Sequence, residues 1–224
     1  GVQTCALPIC FMMLITLFGK ILGMVREQLL AANYGTDMQA AAFLLASRIP
    51  RTFFDVIFAS AISASFIPVF VEYLQKKGRK EAFSLANRFI TMISTVTLLM
   101  MLLGMAFAKP LTLLIAPGYD VETVTLCVGL LRMLFPTMLF TAVAFSFVGI
   151  LQSLEEFNVP AALSVVSNGV LILYYIFFNE KFGILGLTVA FLIGWAMQAV
   201  IQIPSLWKKG YHYRPDFHFK DEGL

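Results

Sequence analysis

Residues 48–55 read Arg-Ile-Pro-Arg-Thr-Phe-Phe-Asp, placing three ionisable side chains and a proline inside otherwise apolar sequence. Arg48, Arg51 and Asp55 stand at i, i+3 and i+7, so on a helix they share one face. Asp55 follows Arg51 by one helical turn and is within pairing reach. A second set lies upstream in Lys20, Arg26 and Glu27. On a helix, Lys20, Gly23 and Glu27 share a face, while Arg26 points about a third of a turn away. Charge is costly in hydrocarbon and generally faces a bundle interior or a wet cavity. The flanks at 41–47 and 56–70 are too apolar for a solvated helix face. Arg offers a planar fork of donors that matches phosphate oxygens, and Lys acts as a point charge. A cavity lined by Lys20, Arg26, Arg48 and Arg51 therefore suits an anionic group with several oxygens, such as a lipid-linked pyrophosphate. Glu27 and Asp55 are expected to pair with these cations when no ligand is present, lowering the cost of an empty cavity. Structural ion pairing between helices is the competing reading.

Composition fixes the medium in which these charges stand. The chain has 224 residues, 59% hydrophobic and 13% charged, against roughly 25% charged for a soluble domain. Mean hydropathy is +0.85. These values describe an integral membrane protein. The formal net charge of +3 is small, and no basic patch interleaved with aromatics points to nucleic acid. Enzymatic signatures are missing too: no His/Cys/Asp/Glu metal spacing, no Gly-Xaa-Ser-Xaa-Gly and no phosphate-cradling loop. No cofactor is expected. Cys127 sits in apolar sequence and reads as inert core. His212 and His218 lie in the polar tail and read as solvated.

The expected fold is all-α and polytopic. A crossing helix needs about 20 apolar residues, and the sequence offers six candidate spans, at about 11–33, 38–74, 89–108, 123–151, 161–178 and 183–204. Gly19 and Gly23 form a small-xxx-small pair that lets another helix approach the first span closely. The second is too long for one ideal span, and Pro50 and the run of small residues at 59–65 offer two places to bend or break. Tyr34-Gly35-Thr36-Asp37 reads as a tight turn, and Glu155-Glu156 with Pro160 mark another. Arg132, near the start of the fourth span, either snorkels or lines the cavity. Asn168, Gln198 and Gln202 read as interhelical hydrogen-bond glue.

Lys76, Lys77, Arg79, Lys80 and Arg88 form the densest basic cluster, which the positive-inside rule makes cytoplasmic. An even span count then puts both ends on that side. Residues 1–10 fit poorly with the first apolar span beside them and are read as a foreign or truncated segment. Residues 11–207 form the membrane lobe, and residues 208–224 a polar cytoplasmic tail.

Several stretches resemble the MurJ-type lipid II flippases of the multidrug/oligosaccharidyl-lipid/polysaccharide exporter superfamily. Residues 19–27, Gly-Lys-Ile-Leu-Gly-Met-Val-Arg-Glu, resemble the family's first-helix motif. In order come Ala-Ser-Arg-Ile-Pro at 46–50, Ser-Phe-Ile-Pro-Val-Phe-Val-Glu-Tyr at 65–73, Ala-Pro-Gly at 116–118, Phe-Asn-Val-Pro-Ala at 157–161 with Asn168, and Gln198 with Gln202-Ile-Pro204. The resemblance implies one six-helix lobe of a two-lobe flippase working by alternating access in the bacterial inner membrane. Its implied partners are the undecaprenyl-pyrophosphate-linked peptidoglycan precursor, membrane lipid and a missing C-terminal lobe. It also implies cavity-lining roles for Lys20 and Arg26. The sequence departs from the family pattern at Ala41, where many members have Asp. It departs again at Phe54, where they have a cavity arginine, and at Ala59-Ser60, where they have Glu-Gly. Arg51, one turn before Phe54, is expected to supply the missing charge. A drug or polysaccharide exporter of the same superfamily, or a non-transporting scaffold, are the alternatives.

Overall fold

The computed structural model describes residues 3–35, 37–59 and 62–217, with side chains from residue 10 onward except Ala59 and Ser63. Thr36, Ser60, Ala61, His218 and Lys220, to which the sequence gives turn, hinge or tail roles, lie outside the described residues. The described chain is all-α. Helix α1 spans Gln3–Tyr34 and α2 Met38–Phe54, followed by two π-helical segments, Asp55–Ala59 and Ile62–Phe66, and then α3, Ile67–Lys76. Next come α4 (Arg79–Ala106), α5 (Ala108–Ile115), α6 (Val121–Leu134), α7 (Thr137–Ser153), α8 (Asn158–Phe177), α9 (Asn179–Val200) and α10 (Ile203–Lys208).

By length and composition, four stretches can cross a membrane: Arg79–Ala106, Val121–Ser153, Asn158–Phe177 and Asn179–Lys208. The other two expected crossings are the charged ones. Helix α1 carries Lys20, Arg26 and Glu27, and residues 38–76 divide into pieces that each fall short of 20 residues. The break in this second stretch lies at the π segments, next to the small residues, and α2 runs on through the buried Pro50. Inserted π turns leave backbone groups out of register and mark points of flexure.

The α6–α7 stretch is the bundle's centre, with 67% of its apolar window buried. Asp120 starts it by accepting from the backbone N–H groups of Glu122 and Thr123. The Thr123 hydroxyl, and after it these backbone contacts, hold its carboxyl below the usual range. Pro136 separates the two helices, because it has no N–H to continue the ladder. Buried hydroxyls on α7 bond back along the chain: Thr137 to Leu134 O, Thr141 to Thr137 O and Ser146 to Ala142 O, at 2.6–2.8 Å. A bundle in lipid must satisfy its polar groups internally, and this is how α7 does so. Gln202 works between helices as expected, its Nε2 donating to Ala144 O at 3.1 Å and Gln198 O at 2.9 Å.

The turn before α8 falls at Glu155, φ 60°, as expected, and Pro160 lies inside the first turn of that helix, where its missing N–H costs nothing. Arg132 donates to Met105 O at the end of α4 and lines neither of the two polar cavities in the bundle. The stretch after α10 is pinned at Tyr211 and Asp216, while His212, Tyr213, Arg214 and Pro215 stay exposed as a polar tail should. Tyr211, only 1% exposed, donates to Asn87 Oδ1 at 2.8 Å, and Arg88 pairs with Asp216 at 2.9 Å. Burial pushes the Tyr211 phenol above its ordinary value. His212 stacks on Trp207 at 6.0 Å.

Helix α1 packs along α8, and α8 along α9. A Cβ on Gly19 would collide with Ser164 Oγ, whereas one on Gly129 would meet nothing within 4 Å. Gly19→Val is therefore expected to lower the thermal unfolding midpoint in detergent, by the equivalent of about 1–3 kcal/mol. Gly129→Ala should leave it unchanged or slightly raised. Equal midpoints for the two variants would contradict this packing.

Candidate anion-binding cavity

The close approach of α1 and α8 builds the first half of the site. Gly23, one turn after Gly19, would place a Cβ 3.4 Å from Asn168 Nδ2. With no side chain there, Asn168 reaches α1 and donates to Gly19 O at 3.1 Å. Its other amide atom, Oδ1, accepts from Arg26 Nη1 at 3.1 Å. Arg26 Nη2 meets Glu27 Oε1 at 2.7 Å. The pairing expected for Glu27 is present, and Asn168 ties helices together as the sequence suggests.

Helix α2 supplies the second half. Arg51 Nε donates to Asp55 Oδ2 at 3.1 Å, one turn on, as the spacing predicts. Its guanidinium carbon also lies 5.2 Å from the centre of the Trp195 ring on α9. Side-chain exposures are 48% for Arg51 and 46% for Asp55. Exposed pairs of this kind are weak, typically about 1 kcal/mol or less, and easily exchanged for another partner.

These side chains stand between two cavities. The smaller, about 190 Å³, is lined by Arg26, Glu27, Arg48 and Arg51 with Thr137, Tyr175 and Trp195 among its other walls. The larger, about 560 Å³, has neutral hydrogen-bonding walls: Thr16, Gln152, Ser164, Ser167, Asn168 and Gln198. Arg26, Arg51 and Trp195 line both. The smaller cavity holds three guanidinium groups against one carboxylate, and among the described residues no carboxylate lines the larger one. Both favour an anion. At their junction, a ligand with several oxygens can take the unengaged donors of Arg26 and Arg51 together, while hydroxyls and amides of the ligand meet the neutral walls.

The sequence-predicted residues divide accordingly. Arg26, Arg48 and Arg51 line the smaller cavity with Glu27, and Arg48 has no ion pair or hydrogen bond among the described residues. Lys20 is exposed and lines neither cavity. Its face of α1 is set by Gly19 and Gly23, which turn toward α8 and leave Lys20 beside that contact. Asp55 reaches the site only through Arg51. Phe54 is fully buried against Phe58 and Phe145 and contributes no charge, whereas Arg51 lines both cavities. Sequence alone does not single out Trp195. The available signal is its position three residues before Gln198 and seven before Gln202, on one helix face.

The family model described as "Lipid II flippase MurJ" matches residues 30–224. The probable lipid II flippase MurJ of Buchnera aphidicola subsp. Acyrthosiphon pisum (strain APS) is 31% identical, over 97% of this chain and 43% of that protein. The lipid II flippase MurJ of Burkholderia cenocepacia is 26% identical, over 86% of this chain and 38% of that protein. This chain thus spans less than half the length of the curated relatives it matches. A solved structure, lipid II flippase MurJ in an inward closed conformation, aligns with a TM-score of 0.77 and 27% identity, over 93% of this chain and 44% of that one. A MOP superfamily transporter from Pyrococcus furiosus aligns at 0.71 with 15% identity, a likeness of fold alone. The ordered motifs, the helical architecture and the family match over most of its length agree, and the chain belongs to the lipid II flippase MurJ family.

Proposed function

We propose that this chain forms the N-terminal lobe of a lipid II flippase of the bacterial cytoplasmic membrane. In this reading the lobe crosses six times and keeps both of its ends cytoplasmic. The charged α1 and the broken 38–76 stretch are the two crossings that face the cavity instead of lipid. The observation that carries the function is the wall shared by the two cavities, where Arg26 and Arg51 stand together in otherwise apolar helices. The pyrophosphate of an undecaprenyl-linked peptidoglycan precursor would exchange the carboxylates of Glu27 and Asp55 for its own oxygens there.

Cavity volumes support the need for a second lobe. At about 560 Å³ the larger cavity falls within the roughly 300–1,000 Å³ of sites that hold drug-sized ligands, and the smaller, about 190 Å³, falls below it. A pyrophosphate with its first sugar is of that scale, whereas a whole glycopeptide headgroup needs a further wall. A C-terminal lobe moving against this one would supply the wall and alternating access. The Pyrococcus furiosus transporter is described as having a binding pocket whose reverse polarity suggests a different function. The excess of arginine at the wall shared by the two cavities here favours an anionic cargo.

The test uses the full-length coding sequence in cells depleted of their own lipid II flippase. Wild type should restore growth, and Arg26→Ala and Arg51→Ala should fail at equal membrane abundance, each having lost charge-assisted hydrogen bonds of about 1.5–3 kcal/mol. The 224 residues alone should not rescue. Failure of well-expressed wild type would point to another exporter or a scaffold. Stability separates the scaffold reading. Asp55→Asn should shift unfolding by no more than about 1 kcal/mol, as for an exposed pair, whereas a structural pin would cost several times that.

A further inference from the structure

Asn168 holds Arg26 from a position where nothing else can. Its side chain belongs to α8, it is only 7% exposed, and both ends of its amide are used. The Nδ2 donates to Gly19 O, which leaves Oδ1 as the acceptor that must face Arg26. The close approach of α1 that allows the contact rests on Gly19, whose Cβ would strike Ser164, while one on Gly23 would just touch Asn168 Nδ2 at 3.4 Å. Asn168 therefore joins the α1–α8 contact to the orientation of the Arg26 guanidinium.

The chemical type matters as much as the place. A carboxylate at this position would hold Arg26 but cancel its charge toward the cavity. A neutral amide orients the guanidinium and leaves its full charge available. Glu27 is the competing anchor, with a side chain 61% exposed and free to swing away. When Glu27 yields to an incoming anion, Asn168 is the contact that remains.

We propose that Asn168 is the positioning residue of the anion site: a neutral, buried acceptor that fixes Arg26 against the junction of the two cavities and keeps it charged. The proposal rests on the flippase reading for its ligand but not for its geometry. Two measurements on the full-length protein keep those apart. In the first, isotope-labelled arginine is followed by NMR without any ligand. Wild type should show resolved, slowly rotating Nη–H signals for Arg26, and Asn168→Leu should collapse them while the Arg88 signals persist. Averaged Arg26 signals in wild type would overturn the proposal, whatever the protein transports.

The second measures binding of undecaprenyl pyrophosphate in lipid nanodiscs. Asn168→Leu and Asn168→Asp should each weaken it roughly tenfold, equivalent to about 1.4 kcal/mol. In an Arg26→Ala background, Asn168→Leu should cause no further loss, since the two act as one unit. A full additional loss in that background would show that Asn168 only braces the helices, and would overturn the proposal. Should Asn168→Leu fold poorly, Asn168→Asp decides, because it keeps an acceptor toward Arg26 while it adds a charge and gives up the Nδ2 donor to Gly19 O. Unchanged affinity in Asn168→Asp would contradict the need for a neutral group. If wild type does not bind the probe while its Arg26 signals are resolved, the flippase reading fails and the positioning role stands.

Discussion

A guanidinium inside an apolar bundle must be held by something, and how it is held decides whether it can work. Full neutralisation by a buried carboxylate would make Arg26 structural, while no partner at all would leave it too costly to keep. The fold takes a middle course. A buried amide fixes one edge of Arg26 and an exposed carboxylate shields another. Arg51 is treated similarly, with a half-exposed Asp55 on its Nε and the Trp195 ring beside it. Both cations are tolerated in the resting lobe and remain exchangeable.

That arrangement depends on backbone approach. Gly19 and Gly23 bring α1 against α8, and α8 lies along α9, which carries Trp195 to Arg51. On the other side, α2 gives way to two π segments directly after the Arg51–Asp55 pair begins. Flexure at that point would carry Asp55 relative to Arg51, so the hinge and the exchangeable pair coincide. A strap at residues 209–217 ties the end of the described chain to α4 through Asn87, Thr91 and Arg88. Movement of α4 is thereby linked to the strap.

What is legible in the sequence is governed by periodicity and cost. The Arg48, Arg51 and Asp55 spacing, the Gly19–Gly23 pair and the lone Asn168 are local signals, and each lies where helical geometry places it. Lys20 cannot be judged the same way, because which side of α1 faces the cavity is decided by its contact with α8. Trp195 is hidden among many apolar aromatics, and only its partner, Arg51, identifies it. The tail reads as solvated in sequence, and His212 and Arg214 are exposed, but Tyr211 and Asp216 find specific partners on α4, a tertiary fact. The sequence also suggests flexure near 50 or near 59–65, and only the helix ladder shows that Pro50 is absorbed while the small run is not.

The most direct measurement is a structure of the full-length protein with undecaprenyl pyrophosphate bound. The expected result places phosphate oxygens within hydrogen-bond distance of both Arg26 and Arg51, with Glu27 and Asp55 displaced and Arg26 still on Asn168. Phosphate density elsewhere, with Arg26 on Glu27 and Arg51 on Asp55 as in the empty lobe, would contradict an anion site at this junction.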